Sequence, residues 1–589
     1  MSQIAKSRIA VLLSGLFAVA PMFAQAAAAP NPSQPNAGTL LDTVRDKDFA
    51  QPQKMSPGLD VQQEAQPAMK PAAGFKTKVA AFHITGSSIF TEAQLRSRVA
   101  YAVGQELTLA ELEKVAAEIS RFYRGNGYFV ARAYLPAQEI KDGVVEIAVL
   151  EGRIGNVDVK LQGKGRLSES TVKRIVGGSA KPGDVINESS IERGLLLAND
   201  LAGVNIDSTL VPGAAVGTSD LVVDAKQTGT ISGGVDLDAS GNKYTGSARV
   251  GASVNVNNPA RVGDQLSLRV MTSGSGMRYG RAAYTLPLGP LGTKIGGAYS
   301  SMSYALGGAF AAANAHGDAR VSSLFVIHPL IRSRNLNLYG QVGYDGKQLS
   351  DKAGTGSSDK RDDLFTAGAS GDSRDGLGGG GMNSFSATIA SGLLDLTADP
   401  SLFTTDANST KSNGSYTKGN YSLARMQRLT DNYSIYAALS GQAASKNLDS
   451  SEKFVLGGPS GIRGYPAGEA SGDYGNLINL ELRRDMGDSA LGNVQLVGFL
   501  DAGQIQLHRN LWNGWQPTGY SIPNTYSLAG FGVGVNLNKA GKGGMFGDYS
   551  VKAFVAGKLG TNPGRDVYGN DSDGASSSTR FWLQASKWF

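Results

Sequence analysis

The side chains that usually perform catalysis are scarce in this chain. It has no cysteine and only four histidines in 589 residues. Cysteine nucleophiles, disulfides and thiolate metal sites are therefore excluded together. No histidine pair has metal-ligand spacing on a helix, and no Gly-x-Ser-x-Gly nucleophile turn occurs. The run Gly378-Gly379-Gly380-Gly381 lacks the Lys-Ser/Thr of a phosphate loop and has no helix to open, so it reads as a turn or strand. No enzymatic activity, metal or cofactor is expected. What remains is the chemistry of an ion pair. Arg463 stands in Gly457-Gly458-Pro459-Ser460-Gly461-Ile462-Arg463-Gly464-Tyr465, where glycines and a proline let the backbone fold tightly around one fixed positive charge. Further along, Phe499-Leu500-Asp501-Ala502-Gly503 places a carboxylate in a strand-like segment.

The strand period decides where that carboxylate points. In residues 493–503, Val494, Leu496 and Leu500 share one parity, and Phe499 and Asp501 share the other. If the leucines face lipid, Asp501 faces water. A carboxylate and a guanidinium fit one another through two parallel hydrogen bonds. Spacing alone permits a blander reading, in which Asp501 is one of many lumen-facing polar residues and Arg463 is a surface-loop charge.

The same alternation runs through the whole carboxyl-terminal part, from about residue 228. Ile231, Val235 and Leu237 oppose Ser232, Asp236 and Asp238; Leu266, Leu268 and Val270 oppose Gln265, Ser267 and Arg269; Ile478, Leu480 and Leu482 oppose Asn479, Glu481 and Arg483. One face suits lipid and the other water. The polar face repeatedly carries full charges, and long Gly/Ser/Asp/Asn loops intervene. At roughly 22 residues per strand with its connection, residues 228–589 hold about sixteen strands, an even number as such barrels require. Glycine, at 78 residues, is about twice the ~7 % of average proteins and fits a turn-rich architecture.

Upstream lie shorter units. Residues 1–26 read as an export signal: Lys6 and Arg8, a short apolar core, then Ala24-Gln25-Ala26 as a cleavage pattern. Its removal takes two positive charges from the net +6. The remaining mild basicity is no nucleic-acid footprint. Residues 27–75 read as a linker rich in Ala, Pro and Gln. Within it, Thr39 is placed to cap a short helix over residues 40–47 that puts Leu40, Leu41 and Val44 on one face. Under three turns long, such a helix must dock against something to persist. Residues 76–151 and 152–227 each read as strand, helix, helix, strand, strand. Capping boxes begin at Thr91 and Thr108, and Ser189 is the expected cap of the last helix.

That order in two adjacent units resembles tandem polypeptide-transport-associated (POTRA) domains. Arg121-Phe122-Tyr123-Arg124-Gly125-Asn126-Gly127-Tyr128 and Leu150-Glu151-Gly152-Arg153-Ile154 are close to the spelling used by two-partner secretion transporters. Gly461-Ile462-Arg463-Gly464-Tyr465 and Phe499-Leu500-Asp501-Ala502-Gly503 resemble the paired motifs of the POTRA-barrel superfamily. Val256-Asn257-Asn258-Pro259, Gly263-Asp264-Gln265-Leu266 and Leu286-Pro287-Leu288-Gly289 match the secretion branch. The resemblance implies an all-β transmembrane barrel of about sixteen antiparallel strands (228–589), preceded by two periplasmic POTRA domains and an amino-terminal helix that plugs the pore. It implies that the sixth surface loop folds back inside, where Arg463 meets Asp501 on the thirteenth strand, with Phe499 and Gly503 beside it.

The implied function is export of a large, unfolded exoprotein across the bacterial outer membrane, with no nucleic acid involved. Implied partners are that exoprotein, outer-membrane lipid and the barrel-assembly machinery, which would read the closing aromatic of Arg580-Phe581-Trp582-Leu583-Gln584-Ala585-Ser586-Lys587-Trp588-Phe589. Two other classes share parts of the pattern: an outer-membrane insertase of the same superfamily, and a general porin with a periplasmic module.

Overall fold

The computed structural model of the chain describes residues 34–44, 59–61, 76–516, 521–539 and 548–589. The expected export signal, 1–26, lies outside them, as does most of the expected linker.

The first α+β unit builds its core from a three-stranded sheet, ordered Ala81–Thr85, Val144–Leu150, Arg132–Tyr134, with its two helices packed on it. Helices Glu92–Val99 and Leu109–Gly125 start at Thr91 and Thr108, each with a reciprocal capping box. Leu112, Val115, Ala116, Ile119 and Tyr123 form the buried stripe of the longer helix. Only Arg132–Tyr134 of the stretch 128–135 pairs as a strand; Tyr128 to Ala131 instead forms a turn closed by the Ala131 N–H on the Tyr128 carbonyl. The turn into Val144–Leu150 is made by Asp142 and Gly143, both at positive φ (54° and 71°), the backbone that a tight hairpin needs.

Two motifs singled out in the sequence meet inside this unit. The Tyr123 hydroxyl donates to Glu151 Oε1 at 2.9 Å, and the N–H groups of Ser88 and Ile89 donate to the same oxygen at 2.7 and 2.8 Å. Burial pushes the Glu151 carboxyl up, but the hydrogen bonds from Ser88, Ile89 and Tyr123 outweigh it and hold it below the usual carboxylate range. Glu151 thus pins the loop after the first strand to the junction between the two units.

The second unit is a four-stranded sheet, ordered Leu59–Val61, Val204–Pro212, Thr218–Gln227, Arg153–Gln162, with helices Glu169–Gly177 and Glu188–Asn199 on one face. Two expectations need correction here. The last helix is capped by Asn187, whose side chain accepts from Ser189 N, and not by Ser189. The linker is not wholly outside the fold: Leu59–Val61 pairs in parallel with Ser208–Leu210 and occupies the edge of this sheet.

Sixteen antiparallel strands, from Ile231–Asp238 to Thr579–Trp588, close into a barrel. The alternation puts Ile231, Val235, Leu237, Leu480, Leu482, Leu500 and Val533 on the outside, all exposed. Inward charges pair across strands, as in Arg249–Asp238 at 2.9 Å and Arg269–Asp236 at 3.1 Å. The last strand closes the barrel on the first, with Trp588 opposite Gly234 and Gln584 opposite Asp238. Among the described residues no helix is long and apolar enough to cross a membrane; the strands do so.

The second α+β unit is fastened to one mouth of the barrel. Arg332, at the end of the sixth strand, makes a two-bond contact with Asp200, 2.8 Å on each side. Arg193 donates to the Pro329 carbonyl at 2.8 Å. The turn after the second strand contains Asn258, which donates to the Ala202 carbonyl at 2.7 Å. That turn is held by Asp264, fully buried, which accepts from Ala260 N at 3.0 Å and from the Tyr284 hydroxyl at 2.5 Å. The Asn-Asn-Pro and Gly-Asp stretches are therefore docking elements.

Candidate functional site: a lumen filled by a loop and a helix

At the opposite mouth, the connection between the eleventh strand (Tyr433–Ala444) and the twelfth (Tyr474–Ser489) runs back into the barrel. It is the sixth connection at that end. Local contacts shape its tip: the Ile462 N–H donates to the Leu456 carbonyl at 2.7 Å, and Gly461 lies so close to that carbonyl that a Cβ would stand 2.0 Å from it. Gly464 passes over Gly557 of the barrel wall, where a Cβ would sit 2.7 Å from the Gly557 carbonyl oxygen. Ile462 and Tyr465 are fully buried, and Gly503 leaves room for the Leu456 side chain. Gly461 and Gly464 require glycine because backbone meets backbone there.

This path delivers Arg463 to the inner wall. Its Nε donates to Asp501 Oδ2 at 2.9 Å and its Nη2 to Asp501 Oδ1 at 2.7 Å, and its backbone N–H reaches Oδ2 at 3.0 Å. Asp501 lies on the thirteenth barrel strand, Gly492–Gln506. Asn479 donates to Asp501 Oδ1 at 2.8 Å, and Trp582 Nε1 donates to the Arg463 carbonyl at 2.7 Å. The guanidinium carbon sits 3.5 Å from the centroid of the Phe499 ring, a cation–π contact in a desolvated site. Arg463 is 4 % exposed and Asp501 1 %. The structure thus brings together Arg463, Phe499 and Asp501, and places Gly461, Ile462, Gly464, Tyr465 and Gly503 around them. The blander alternative of an exposed loop charge does not describe this geometry.

One partner escaped the sequence reading. Glu481, on the twelfth strand, accepts from Arg463 Nη1 at 2.6 Å and from Arg483 Nε at 2.7 Å. Alternation marks it as inward-facing, but nothing local distinguishes it from Asn479 or Arg483. A second anchor was also missed. Where the loop enters the barrel, Glu452 meets Lys347 and Lys418, the latter at 2.8 Å, while Asp449 meets Lys360 at 2.7 Å. Lys347, Asp362 and Glu452 are all at most 2 % exposed. Lys347 and Glu452 are 105 positions apart and Lys360 and Asp449 are 89, and no short motif reports such pairs.

The second occupant of the lumen is the helix Ala37–Val44. Leu40, Leu41 and Val44 are buried against Met271, Met302, Tyr304 and Leu349 of the barrel wall. The helix starts two residues before Thr39, because Asn36 is the cap: its Oδ1 accepts from Thr39 N at 3.0 Å, and Thr39 Oγ1 accepts from Asn36 N at 3.1 Å. The expected residues 45–47 lie outside the described segments. Charges at both ends match the helix dipole. Asp351 accepts from Ala37 N at 2.7 Å, and Arg249 donates to the Thr43 carbonyl at 3.3 Å. The helix also touches the loop. Ser450 Oγ donates to Asn36 Oδ1 at 3.0 Å, and a Cβ on Gly38 would lie 2.7 Å from Ser451 N. Among the described residues no His/Cys/Asp/Glu group is arranged to hold a metal ion.

Comparison with known proteins supplies the family and agrees with the fold. Residues 217–537 match the family described as haemolysin secretion/activation protein ShlB/FhaC/HecB, and residues 77–152 match a POTRA domain of the ShlB type. The heme/hemopexin transporter protein HuxB of Haemophilus influenzae is 31 % identical over 83 % of this chain and 82 % of its own. The outer membrane transporter CdiB of Dickeya dadantii is 25 % identical over 69 % of this chain and 73 % of its own. The solved structure of CdiB from Escherichia coli superposes with a TM-score of 0.70 at 21 % identity, covering 89 % of this chain and 93 % of that one, and shares the fold. The chain is a member of the haemolysin secretion/activation protein family, an outer-membrane two-partner secretion transporter whose POTRA domains lie in the periplasm.

Proposed function

We propose that this transporter exports a large, unfolded exoprotein through its own barrel, and that the resting state is the closed one described above. The observation that carries the reading is the filled lumen: a two-turn helix and a returning loop occupy the path between the periplasmic domains and the cell surface. Helix Ala37–Val44 is the plug, and it leaves its seat against Ser450–Glu452 when cargo passes. Arg463 is the latch of the loop and Asp501 its catch. No nucleotide or metal chemistry is invoked, and the work of transport comes from folding of the cargo outside.

The periplasmic units capture cargo by strand addition, which reads backbone and tolerates varied side chains. Leu59–Val61 covers the side of Val204–Pro212 that would otherwise be the sheet edge, so capture there displaces the linker. As the mature chain reaches the membrane, the barrel-assembly machinery reads the terminal strand ending in Trp588-Phe589, and phospholipid surrounds the apolar belt. The cleaved signal at 1–26 and the periplasmic span 76–227 belong to this reading. Deleting residues 76–227 tests it. A secretion pore loses export of its exoprotein, whereas a general porin keeps its solute flux. Unchanged export from that variant would overturn the reading.

A further inference from the structure

The outer wall behind the latch carries a hollow. Strand register sets five outward residues side by side across strands twelve to sixteen: Leu482, Gly498, Val533, Val555 and Phe581. In the next row toward the periplasmic turns stand Arg484, Leu496 and Ala553. Gly498 and Ala553 are small where their neighbours are large, and the result is an elongated apolar hollow of about 530 Å³. That volume falls within the range of about 300–1,000 Å³ typical of ligand sites. No heavy atom lies within 4 Å of the position a Gly498 Cβ would take; the floor is open.

Arg484 gives the hollow a polar end. It has the parity of Ile478, Leu480 and Leu482, so it points to lipid, and it is exposed. Its guanidinium lies 5.6 Å from the centroid of the Tyr433 ring, and among the described residues it forms no ion pair. An outward guanidinium without a carboxylate, on the periplasmic side of an apolar hollow, is complementary to a phosphate whose chain runs toward the membrane centre. Tyr433 lies at the same level, where aromatic residues mark the interface.

We infer that the hollow formed by Gly498 and Leu482 is a phospholipid site, taking one acyl chain between strands twelve and sixteen and the lipid phosphate on Arg484. The lipid belongs to the periplasmic leaflet, and its chemistry is that of a glycerophospholipid, with phosphatidylglycerol as the probe.

The full-length protein, purified in a mild detergent and titrated with phosphatidylglycerol, tests this by native mass spectrometry. One lipid is expected to stay bound after the annular lipids are stripped. Gly498→Leu puts a side chain into the hollow from a Cβ position with no heavy atom within 4 Å, and the packing contacts it takes from the acyl chain should abolish retention of the single lipid. Arg484→Gln should weaken it as well, and Arg484→Lys should restore part of it. Heat-modifiable migration reports folding of each variant. On the native chain, phosphatidylglycerol bearing a photoreactive acyl chain should label peptides holding Val533 and Val555 above all others. Equal labelling around the barrel, or undiminished retention in a folded Gly498→Leu variant, overturns the site.

Discussion

Replacing Arg463 by alanine removes more than one contact. The guanidinium spans Asp501 with two bonds of 2.9 and 2.7 Å and Glu481 with one of 2.6 Å, and it stacks on Phe499. Its loss leaves Asp501, 1 % exposed, without its guanidinium, while Glu481 keeps Arg483 at 2.6 Å. Breaking a buried pair while stranding its partner costs about 3–5 kcal/mol. The loop's own contacts survive: Ile462 N to the Leu456 carbonyl and Tyr465 N to the Ile462 carbonyl. The loop should therefore undock rather than unfold, with its docked population reduced by roughly two to three orders of magnitude. The barrel, held by its own ladders, stays folded. Limited proteolysis from outside the cell should cut the loop between Leu456 and Ala470 in Arg463→Ala, while heat-modifiable migration is unchanged and exoprotein in the medium falls sharply. Arg463→Lys keeps the charge but loses the planar two-bond match and should fall between. Asp501→Ala should resemble Arg463→Ala, and the double variant should be little worse than either, because coupled residues are not additive. A loop that stays protease-resistant in Arg463→Ala, together with normal secretion, refutes the reasoning.

Three further outcomes follow from the same geometry. Gly38→Val drives a side chain into the backbone of Ser451, where even a Cβ would lie 2.7 Å from its nitrogen, so the helix should leave its seat and single-channel conductance in planar bilayers should rise above that of the native chain. Lys347→Met leaves buried Asp362 without its lysine and Glu452 with Lys418 alone and should cost about 3–5 kcal/mol, read as a lower temperature at which the protein loses its heat-modifiable folded band. Glu151→Gln removes the charge that Ser88, Ile89 and Tyr123 bind and should destabilise the first periplasmic domain by about 1–3 kcal/mol. Because the folded-state pKa of Glu151 is lowered, its contribution is full above the unfolded value of about 4.3 and fades as pH falls through the folded value. Acid titration of the native domain, followed by circular dichroism, should show that loss, and Glu151→Gln should flatten it.

How much of this was legible without coordinates depended on whether the information was local. A strand has a period of two, so eleven residues around Asp501 were enough to assign its face, and the same rule carried the barrel as a whole. Capping boxes at Thr91 and Thr108 pair groups three residues apart and could be read directly. Asn36 was harder: it precedes the apolar face, and Thr39 stands closer to it, yet the two side chains cap each other's N–H groups. Leu59–Val61 has no pattern of its own and becomes a strand only because Val204–Pro212 offers an edge. The meeting of Glu452 with Lys347 and Lys418 is of the same kind, since each charge alone looks like any lumen-facing residue. Apart from the helix caps Asn36 and Asn187, what escaped was long-range and without motif.

The claim at the centre of the account is that the helix must part from the loop before cargo can pass. The chain has no cysteine, so an introduced pair has no competitor. Asn36→Cys with Ser450→Cys sits where the native side chains already meet at 3.0 Å. Export of the exoprotein is then measured with the pair oxidised and again after addition of a reductant. The account predicts that export stops when the disulfide forms and returns when it is reduced. Full export from the oxidised protein would contradict it.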